Sequence, residues 1–258
     1  RRAAQFKLLT ELVGIDTSNP PGDLAEQAER IGKLLEALGF EVERLKVPKE
    51  IAARRNRAAV TNLVARRRFS ESGPTVALVT AVDTVPVEDD WTHDPFAGEI
   101  KNGVIHGRGV LSGKADLTAQ AFAVVALAES AANLTGSVEL HVSFDGSGPL
   151  GCKWMLDEKL VRPDFVIGAG PARAIAAHSM GTLQIDVEIR GLAAPSHAPE
   201  RGFDALEGAN KVVALLHQYR AGLRDKRSKI LGITHPSLVV EEFYAGSEAG
   251  GVPAGARF

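Results

Sequence analysis

The sequence is short of several features that would point to particular classes of protein. Its single cysteine, Cys152, excludes an internal disulfide and fits a cytosolic protein. No apolar run approaches the ~20 residues of a membrane span, and no signal peptide opens the chain. Basic residues are not in excess, with 30 Lys and Arg against 32 Asp and Glu. Because phosphate binding needs a concentrated basic face, we expect no nucleic-acid partner. From the missing apolar run and the single cysteine we expect a cytoplasmic protein without a membrane partner.

What the sequence does contain is typical of a globular protein. Its 258 residues are 45% hydrophobic and 24% charged. A chain of this length allows one large domain or two smaller ones. It begins at Arg1 rather than at a methionine, and it ends at Phe258, where a strand is predicted to start. We therefore expect a fragment or a processed form that is truncated at its C-terminus.

Strand-like and helix-like segments alternate over residues 1–178. Apolar, β-rich runs predict strands at 40–47, 58–65, 75–82, 138–144 and 165–168. Apolar residues at helical spacing predict helices at 3–13, 24–38, 114–132 and 150–160. Asp23 and Glu26 form a capping-box pattern before the second helix, and Asn102-Gly103 indicates a hairpin. This alternation predicts an α/β fold with a mostly parallel sheet flanked by helices.

The pattern changes near Met180, which predicts a second, smaller domain. Residues 182–189 alternate between apolar and polar side chains, as in a half-exposed strand. A predicted helix over 204–219 and a predicted strand over 238–243 follow. We therefore place an α/β domain at 1–178 and an incomplete α+β domain at 179–258.

Several motifs fall at the carboxyl ends of the predicted strands, where active sites of doubly wound sheets gather. In chain order they are Val82-Asp83-Thr84-Val85-Pro86, Trp91 with Asp94-Pro95-Phe96, Gly107-Arg108-Gly109 ahead of Lys114, Gly191 to Pro199, and Val252-Pro253. In these stretches the sequence resembles the M20 metallopeptidases and amidohydrolases. That group includes glutamate carboxypeptidases, aminoacylases, acetylornithine deacetylases and succinyl-diaminopimelate desuccinylases.

The resemblance implies both a domain organisation and a chemistry. Residues 1–178 would form a zinc-exopeptidase-like catalytic domain that lacks the family's C-terminal part. Such a domain holds two zinc ions and hydrolyses amide or peptide bonds. Residues 179–258 would form the lid or dimerisation domain, through which two copies of the chain would pair.

The resemblance also locates the family's metal ligands and general base, and small or uncharged residues occupy those positions here. They are Ala81 for the first histidine, Ser112 for the bridging aspartate, Gly146 and Ser147 for the paired glutamates (base, then ligand), Ala169 for the next ligand, Pro195 for the histidine that polarises the scissile carbonyl, and Gly250 for an asparagine. Asp83 is retained, and in the family it orients the first histidine. The last metal-binding histidine would lie beyond Phe258.

These substitutions argue against a zinc-dependent reaction. A catalytic zinc needs about three protein ligands, and Ala81 and Ala169 have no side-chain lone pair. With glycine at position 146, no base is available to take a proton from the attacking water. We therefore expect an M20-like scaffold without a cofactor, whose cleft admits a small-molecule ligand. Either a pseudoenzyme or an engineered derivative fits, and the clustered small residues between intact motifs favour redesign.

Two other interpretations stay open, and the first is a metal-independent hydrolase. Three side chains near strand ends or helix starts are its candidate nucleophiles: Ser112, Ser147 and Cys152. Asp83 or Asp145 would supply the acid, and His178 or His197 the base if the second domain covers the cleft. If none of the three is a nucleophile, the serines only occupy former ligand positions and the cysteine is a small buried apolar residue. The second interpretation is that zinc-dependent amide hydrolysis persists through unrecognised ligands.

Overall fold

The structure, a computed structural model, divides the chain into two compact units, Arg1–Arg173 and Ala174–Phe258. It describes residues 1–19, 24–54, 57–130, 132–146, 148–170, 175, 178, 180–230, 232–246 and 250–258. The boundary expected from the sequence lies after residue 178. The catalytic-type and lid roles assigned to the two domains stay predictions.

The first unit is built on a five-stranded sheet. Its strands are β1 (Glu41–Lys46), β2 (Thr61–Arg68), β3 (Thr75–Ala81), β6 (Ser137–Ser143) and β7 (Phe165–Gly168), in the spatial order β1-β2-β6-β3-β7. β3 runs parallel to both β6 and β7, whereas β2 is antiparallel to β1 and to β6. The predicted α/β class is confirmed. The sheet is mixed rather than mostly parallel, because apolar runs indicate buried strands but do not encode their direction.

Helices cover both faces of this sheet. They are α1 (Arg2–Val13), α2 (Ala25–Ala37), α3 (Lys49–Ala53), α4 (Lys114–Ala128) and α5 (Cys152–Asp157). The larger buried cluster joins α1, α2 and α4 to β2 and β6 through residues such as Leu63 and Leu140. A second cluster joins α3 and α5 to β2 through Val64, whose side chain points to the opposite face from that of Leu63.

Two details of the first unit bear on the sequence expectations. The predicted hairpin is present as β4 (Ile100–Lys101) and β5 (Val104–Ile105), joined by the Asn102-Gly103 turn. The predicted cap Asp23 lies outside the described residues.

Among helices of the described part of the chain, none has both the length and the apolar composition that a membrane span requires.

The second unit has a small antiparallel sheet and one long helix. The strands are β8 (Glu188–Arg190), β9 (Tyr244–Ala245) and β10 (Gly255–Arg257), in the order β8-β10-β9, and the helix is α6 (Ala205–Leu223). Its buried cluster consists of Ala205, Ala209 and Ala256, packed against Ile189 and Phe258. The helix predicted over 204–219 is confirmed. The predicted strands are wrong in extent, since only 188–190 of the first is a strand and none of 238–243 is.

Candidate functional site

The carboxyl ends of three strands meet at one edge of the first unit's sheet. Ala81 ends β3 beside Ser143 of β6, and the backbone N–H of Ala169 bonds to the carbonyl of Val79. These strand ends bring together three positions at which the M20 resemblance places a metal ligand or the general base, Ala81, Gly146 and Ala169, and the carboxyl groups of Asp83 and Asp145. We call them the strand-end site, defined as Ala81, Asp83, Asp145, Gly146 and Ala169.

Asp83 is the half-buried carboxyl group of the strand-end site. The backbone N–H of Gly146 donates to its two oxygens, at 3.0 and 3.2 Å. Asn19 donates from Nδ2 to Oδ2 of Asp83 at 3.3 Å and to the carbonyl of Phe144 at 3.2 Å. Burial raises the pKa of the Asp83 carboxyl, and these hydrogen bonds oppose the rise. Neutral amide donors therefore bind this carboxyl group, and no described cation pairs with it.

Gly146 and Ala81 are packed directly against each other. A Cβ built at Gly146 would lie 2.4 Å from the Cβ of Ala81 and 3.0 Å from Oδ1 of Asp83. A side chain at position 146 therefore has no room unless the end of β3 moves. The small residues at positions 81 and 146 fit together as a pair rather than leaving a cavity.

Asp145, the second carboxyl group of the strand-end site, is fully engaged in holding the loop after β6. Arg57 donates from Nε to Oδ1 at 3.2 Å, and the backbone N–H of Leu150 donates to Oδ2 at 2.9 Å. The Asp145 side chain is 1% exposed. Its charge is thus balanced by an arginine, and its oxygens are directed at the chain that leads into α5.

Ser112 and Lys114 lie where α4 begins, on either side of a glycine that this turn requires. Gly113 has φ +64, and a Cβ there would lie 2.7 Å from the carbonyl oxygen of Ala81. Ser112 is exposed, and among the described residues no histidine bonds to its hydroxyl. Lys114 is buried and donates from Nζ to the carbonyl of Ile15 at 2.7 Å. Burial lowers the pKa of Lys114 to about 8.

The other candidate nucleophiles and bases differ in burial and in position. Cys152 packs against the second apolar cluster, and burial raises the pKa of its thiol. Because α5 has only six residues and the thiol is desolvated, this environment favours a small apolar role over a reactive thiolate. Ser147 lies outside the described residues. His178 and His197, the proposed bases, and Pro195 belong to the second unit, where all three are exposed.

Comparison with known proteins identifies the family. The sequence profile of peptidase family M20/M25/M40 matches residues 77–234. The chain belongs to this family. It is 28% identical to a succinyl-diaminopimelate desuccinylase of Acidiphilium cryptum, over 96% of this chain and 64% of that protein. It is 34% identical to a desuccinylase of Xanthobacter autotrophicus, over 55% of this chain and 35% of that protein. The chain thus spans less than two thirds of the length of these relatives.

Solved structures show the same fold at low sequence identity. An M20 family metallo-carboxypeptidase from Sulfolobus solfataricus matches with a TM-score of 0.68 and 16% identity, over 98% of this chain and 69% of that one. A tripeptidase from Staphylococcus aureus matches with a TM-score of 0.55 and 21% identity, over 100% and 65% of the two chains. The expected M20 fold is therefore confirmed.

The residues at the strand-end site of this M20 chain do not fit a pair of zinc ions. Ala81, Gly146 and Ala169 contribute no side-chain lone pair, and zinc is held by side chains of His, Cys, Asp or Glu. Asp83 and Asp145 are the carboxyl groups present, and both already accept several hydrogen bonds. Over the described ranges, no group of three or more such side chains is arranged to hold a metal ion.

The three histidines of the first unit have partners of their own. His93 stacks on His106 with ring centroids 3.9 Å apart, and its Nδ1 lies 2.9 Å from Glu99. His141 is buried, and its Nε2 lies 2.8 Å from a carboxylate oxygen of Glu139. Such contacts are typical of histidines with a structural role.

Three side chains and one backbone carbonyl, that of Ile15, make contacts in this region that sequence reasoning did not predict. Asn19, Arg57, Lys114 and Ile15 make the contacts described above, but only Lys114 carried a signal, as the lysine that follows the Gly-Arg-Gly motif. Arg57 stands in a basic run that is typical of a solvated surface. Its partner Asp145 is 88 residues away, so only the folded chain reveals the pair.

Proposed function

We propose that this chain is an M20 hydrolase scaffold without the family's di-zinc site, a pseudoenzyme or an engineered derivative of a zinc-dependent amide hydrolase. The contact between Gly146 and Ala81 carries the proposal. It puts two residues that cannot bind metal where the family has a ligand and the general base, and it fills the space between them. Between positions 81 and 146 there is therefore no room for a metal-binding side chain.

The carboxyl groups at the strand-end site and the nearby Lys114 do not provide the nucleophile and the base that amide hydrolysis requires. Hydrolysis of an amide needs a strong nucleophile and a proton acceptor beside it. The carboxyl oxygens of Asp83 accept hydrogen bonds from Gly146 and Asn19, and those of Asp145 from Arg57 and Leu150. Since Lys114 donates to a backbone carbonyl, it is also directed away from this role. These contacts support the absence of amide hydrolysis, and the binding of a small ligand without turnover is the function we propose.

The metal-independent alternative receives less support from the same residues. Ser112 has no described histidine partner, and the Cys152 thiol is desolvated. The names of relatives, a desuccinylase and a metallo-carboxypeptidase, indicate ancestry in amide hydrolysis. A small ligand in the cleft, pairing through the second unit and a cytoplasmic location complete the proposal.

Metal content and chelator-sensitive turnover test the proposal together. The purified chain is incubated with zinc, desalted and analysed for bound metal, and then assayed on N-succinyl and dipeptide substrates with and without EDTA. We expect well below one zinc per chain and no turnover that EDTA abolishes. The desuccinylase of Acidiphilium cryptum, prepared in parallel, is the positive control. Two zinc ions per chain with EDTA-sensitive turnover would refute the proposal.

The same preparation tests the metal-independent alternative. Hydrolysis of an activated ester that survives EDTA and disappears in Ser112→Ala, Ser147→Ala or Cys152→Ala would establish that alternative instead. Ester hydrolysis that none of the three substitutions changes would be non-specific and would leave the scaffold proposal standing.

A further inference from the structure

The side chain of Arg108, which has no role in the proposed function, is held by an aromatic ring and a backbone carbonyl in the segment that follows β3. Its guanidinium carbon lies 4.9 Å from the centroid of the Trp91 ring. Its Nη2 donates to the carbonyl of Pro86 at 3.1 Å. Its own backbone N–H donates to the carbonyl of Pro95 at 2.7 Å, and the next residue, Gly109, packs against Lys114. Both the backbone and the guanidinium group of Arg108 are therefore held in place.

The positive charge of Arg108 has no described counter-ion. Several arginines of the first unit, among them Arg44, Arg57 and Arg66, pair with carboxylates, whereas Arg108 has no ion pair among the described residues. Its Nε is buried and has no acceptor among the described residues. The acidic run Glu88-Asp89-Asp90 is close in sequence, but it is exposed and none of its carboxylates pairs with Arg108. A half-buried cation is thus held in one orientation with most of its hydrogen-bonding capacity unused.

We propose that Arg108 forms an anion subsite that binds the carboxylate of a small organic ligand beside the end of β3. A guanidinium stacked on an aromatic ring keeps its planar edge in a fixed orientation, and that edge matches the two oxygens of a carboxylate. Stacking on Trp91 also lowers the entropy lost on binding, because the side chain is ordered beforehand. The proposal concerns Arg108 alone and is independent of whether zinc binds at the strand-end site.

Trp91 provides a direct reporter for this subsite. The chain has only two tryptophans, and the other, Trp154, lies in α5 and is buried in the second apolar cluster. Trp154→Phe therefore leaves a single fluorophore beneath the Arg108 guanidinium. Titrating this variant with succinate at constant ionic strength, with potassium chloride as the reference salt, is expected to give a saturable change in Trp91 emission. Calorimetry on the unsubstituted chain gives the dissociation constant by a second route.

Two substitutions separate the subsite from a purely structural anchor. Arg108→Gln is expected to weaken succinate binding at least 10-fold. Arg108→Lys, which keeps the charge but loses the planar edge, is also expected to weaken it. Arg68→Gln, on an exposed arginine of β2, is the matched control and should leave binding unchanged. Circular dichroism melts confirm that each variant is folded.

Any of three results overturns the proposal. The first is the absence of saturable succinate binding to the unsubstituted chain. The second is succinate binding by folded Arg108→Lys or Arg108→Gln with the affinity of the unsubstituted chain, which would reduce Arg108 to a support for the 86–91 segment. Chloride competing as well as succinate would equally contradict a carboxylate subsite. The metal analysis above is unaffected by any of these outcomes, so the two proposals fail separately.

Discussion

At the residue scale, Lys114 makes the stability of the first unit depend on pH. Its pKa is lowered to about 8 from an ordinary 10.5, so the unfolded chain binds the proton more tightly than the folded one. Stability is therefore reduced below pH 8 and recovers as the pH rises from 8 to 10.5, by at most about 3 kcal/mol. Thermal midpoints of the wild-type chain and of Lys114→Met, compared between pH 7 and 10.5, should show this rise in the wild-type chain only.

The control for Lys114 is Lys153→Met, which removes an exposed lysine from an ion pair with Asp157. Because an exposed pair contributes little, its pH profile should follow that of the wild-type chain. Parallel profiles for Lys114→Met and the wild-type chain would show that the buried amine is not the group responsible.

Gly146 allows a second prediction at the same scale. Gly146→Ala would place a methyl group 2.4 Å from the Cβ of Ala81, so the end of β3 must shift. We expect a loss of about 1–3 kcal/mol, as for overpacked cores. Gly168→Ala at the end of β7 is the matched control, because nothing lies within 4 Å of a Cβ there. Urea unfolding of both variants measures the difference, and equal stabilities would contradict the packing described for the strand-end site.

Sequence reasoning located the residues of the strand-end site but not their partners. The positions of Ala81, Asp83 and Gly146 could be predicted, because each lies within or beside a motif of consecutive residues that can be recognised in a single sequence. The amide of Asn19 and the Arg57–Asp145 ion pair could not be predicted, since they join residues 64 and 88 positions apart. Such contacts depend on which strands become neighbours, and hydrophobic periodicity carries no information about that.

At the scale of elements, the two edges of the main sheet differ sharply. β1 carries charged residues at Glu41, Glu43, Arg44 and Lys46, a pattern that discourages pairing with other chains. β7 has none, and Phe165, Val166 and Ile167 are 62%, 57% and 58% exposed. We expect the chain to associate at high concentration through β7. Val166→Lys should reduce that association, measured by light scattering against concentration.

The comparison for this prediction lies on the opposite edge of the same sheet. Glu41→Lys exchanges one charge for another on β1 and should leave association unchanged. If Val166→Lys and the unsubstituted chain scatter light identically while both remain folded, then β7 is not the associating edge.

Strand prediction failed in the second unit because a strand needs a partner as well as a pattern. Residues 182–189 alternate as a half-buried strand would, yet Leu183 and Ile185 are 82% and 67% exposed. β8 is paired over Glu188–Arg190 only, and the adjoining Val187 exchanges two hydrogen bonds with Phe258. Alternation shows that a segment is suited to a sheet, whereas neighbouring backbone decides whether the ladder forms.

At the scale of the whole molecule, the two units differ in how much apolar surface they bury. The first unit has two clusters that contain leucine, isoleucine, valine, phenylalanine and tryptophan side chains on both faces of its sheet. The cluster of the second unit is built on three alanines with Ile189 and Phe258. Since stabilisation scales with the apolar area removed from water, the first unit should hold most of the folding free energy.

Separating the two units at the division between residues 173 and 174 tests this difference. We expect residues 1–173 alone to melt cooperatively, because both apolar clusters that cover the main sheet lie within this range. Residues 174–258 alone should give a broad, weak transition by circular dichroism, since buried alanines contribute too little to offset the conformational entropy of the chain. A sharp transition for 174–258, or none for 1–173, would show that the buried clusters do not set the stability of the units.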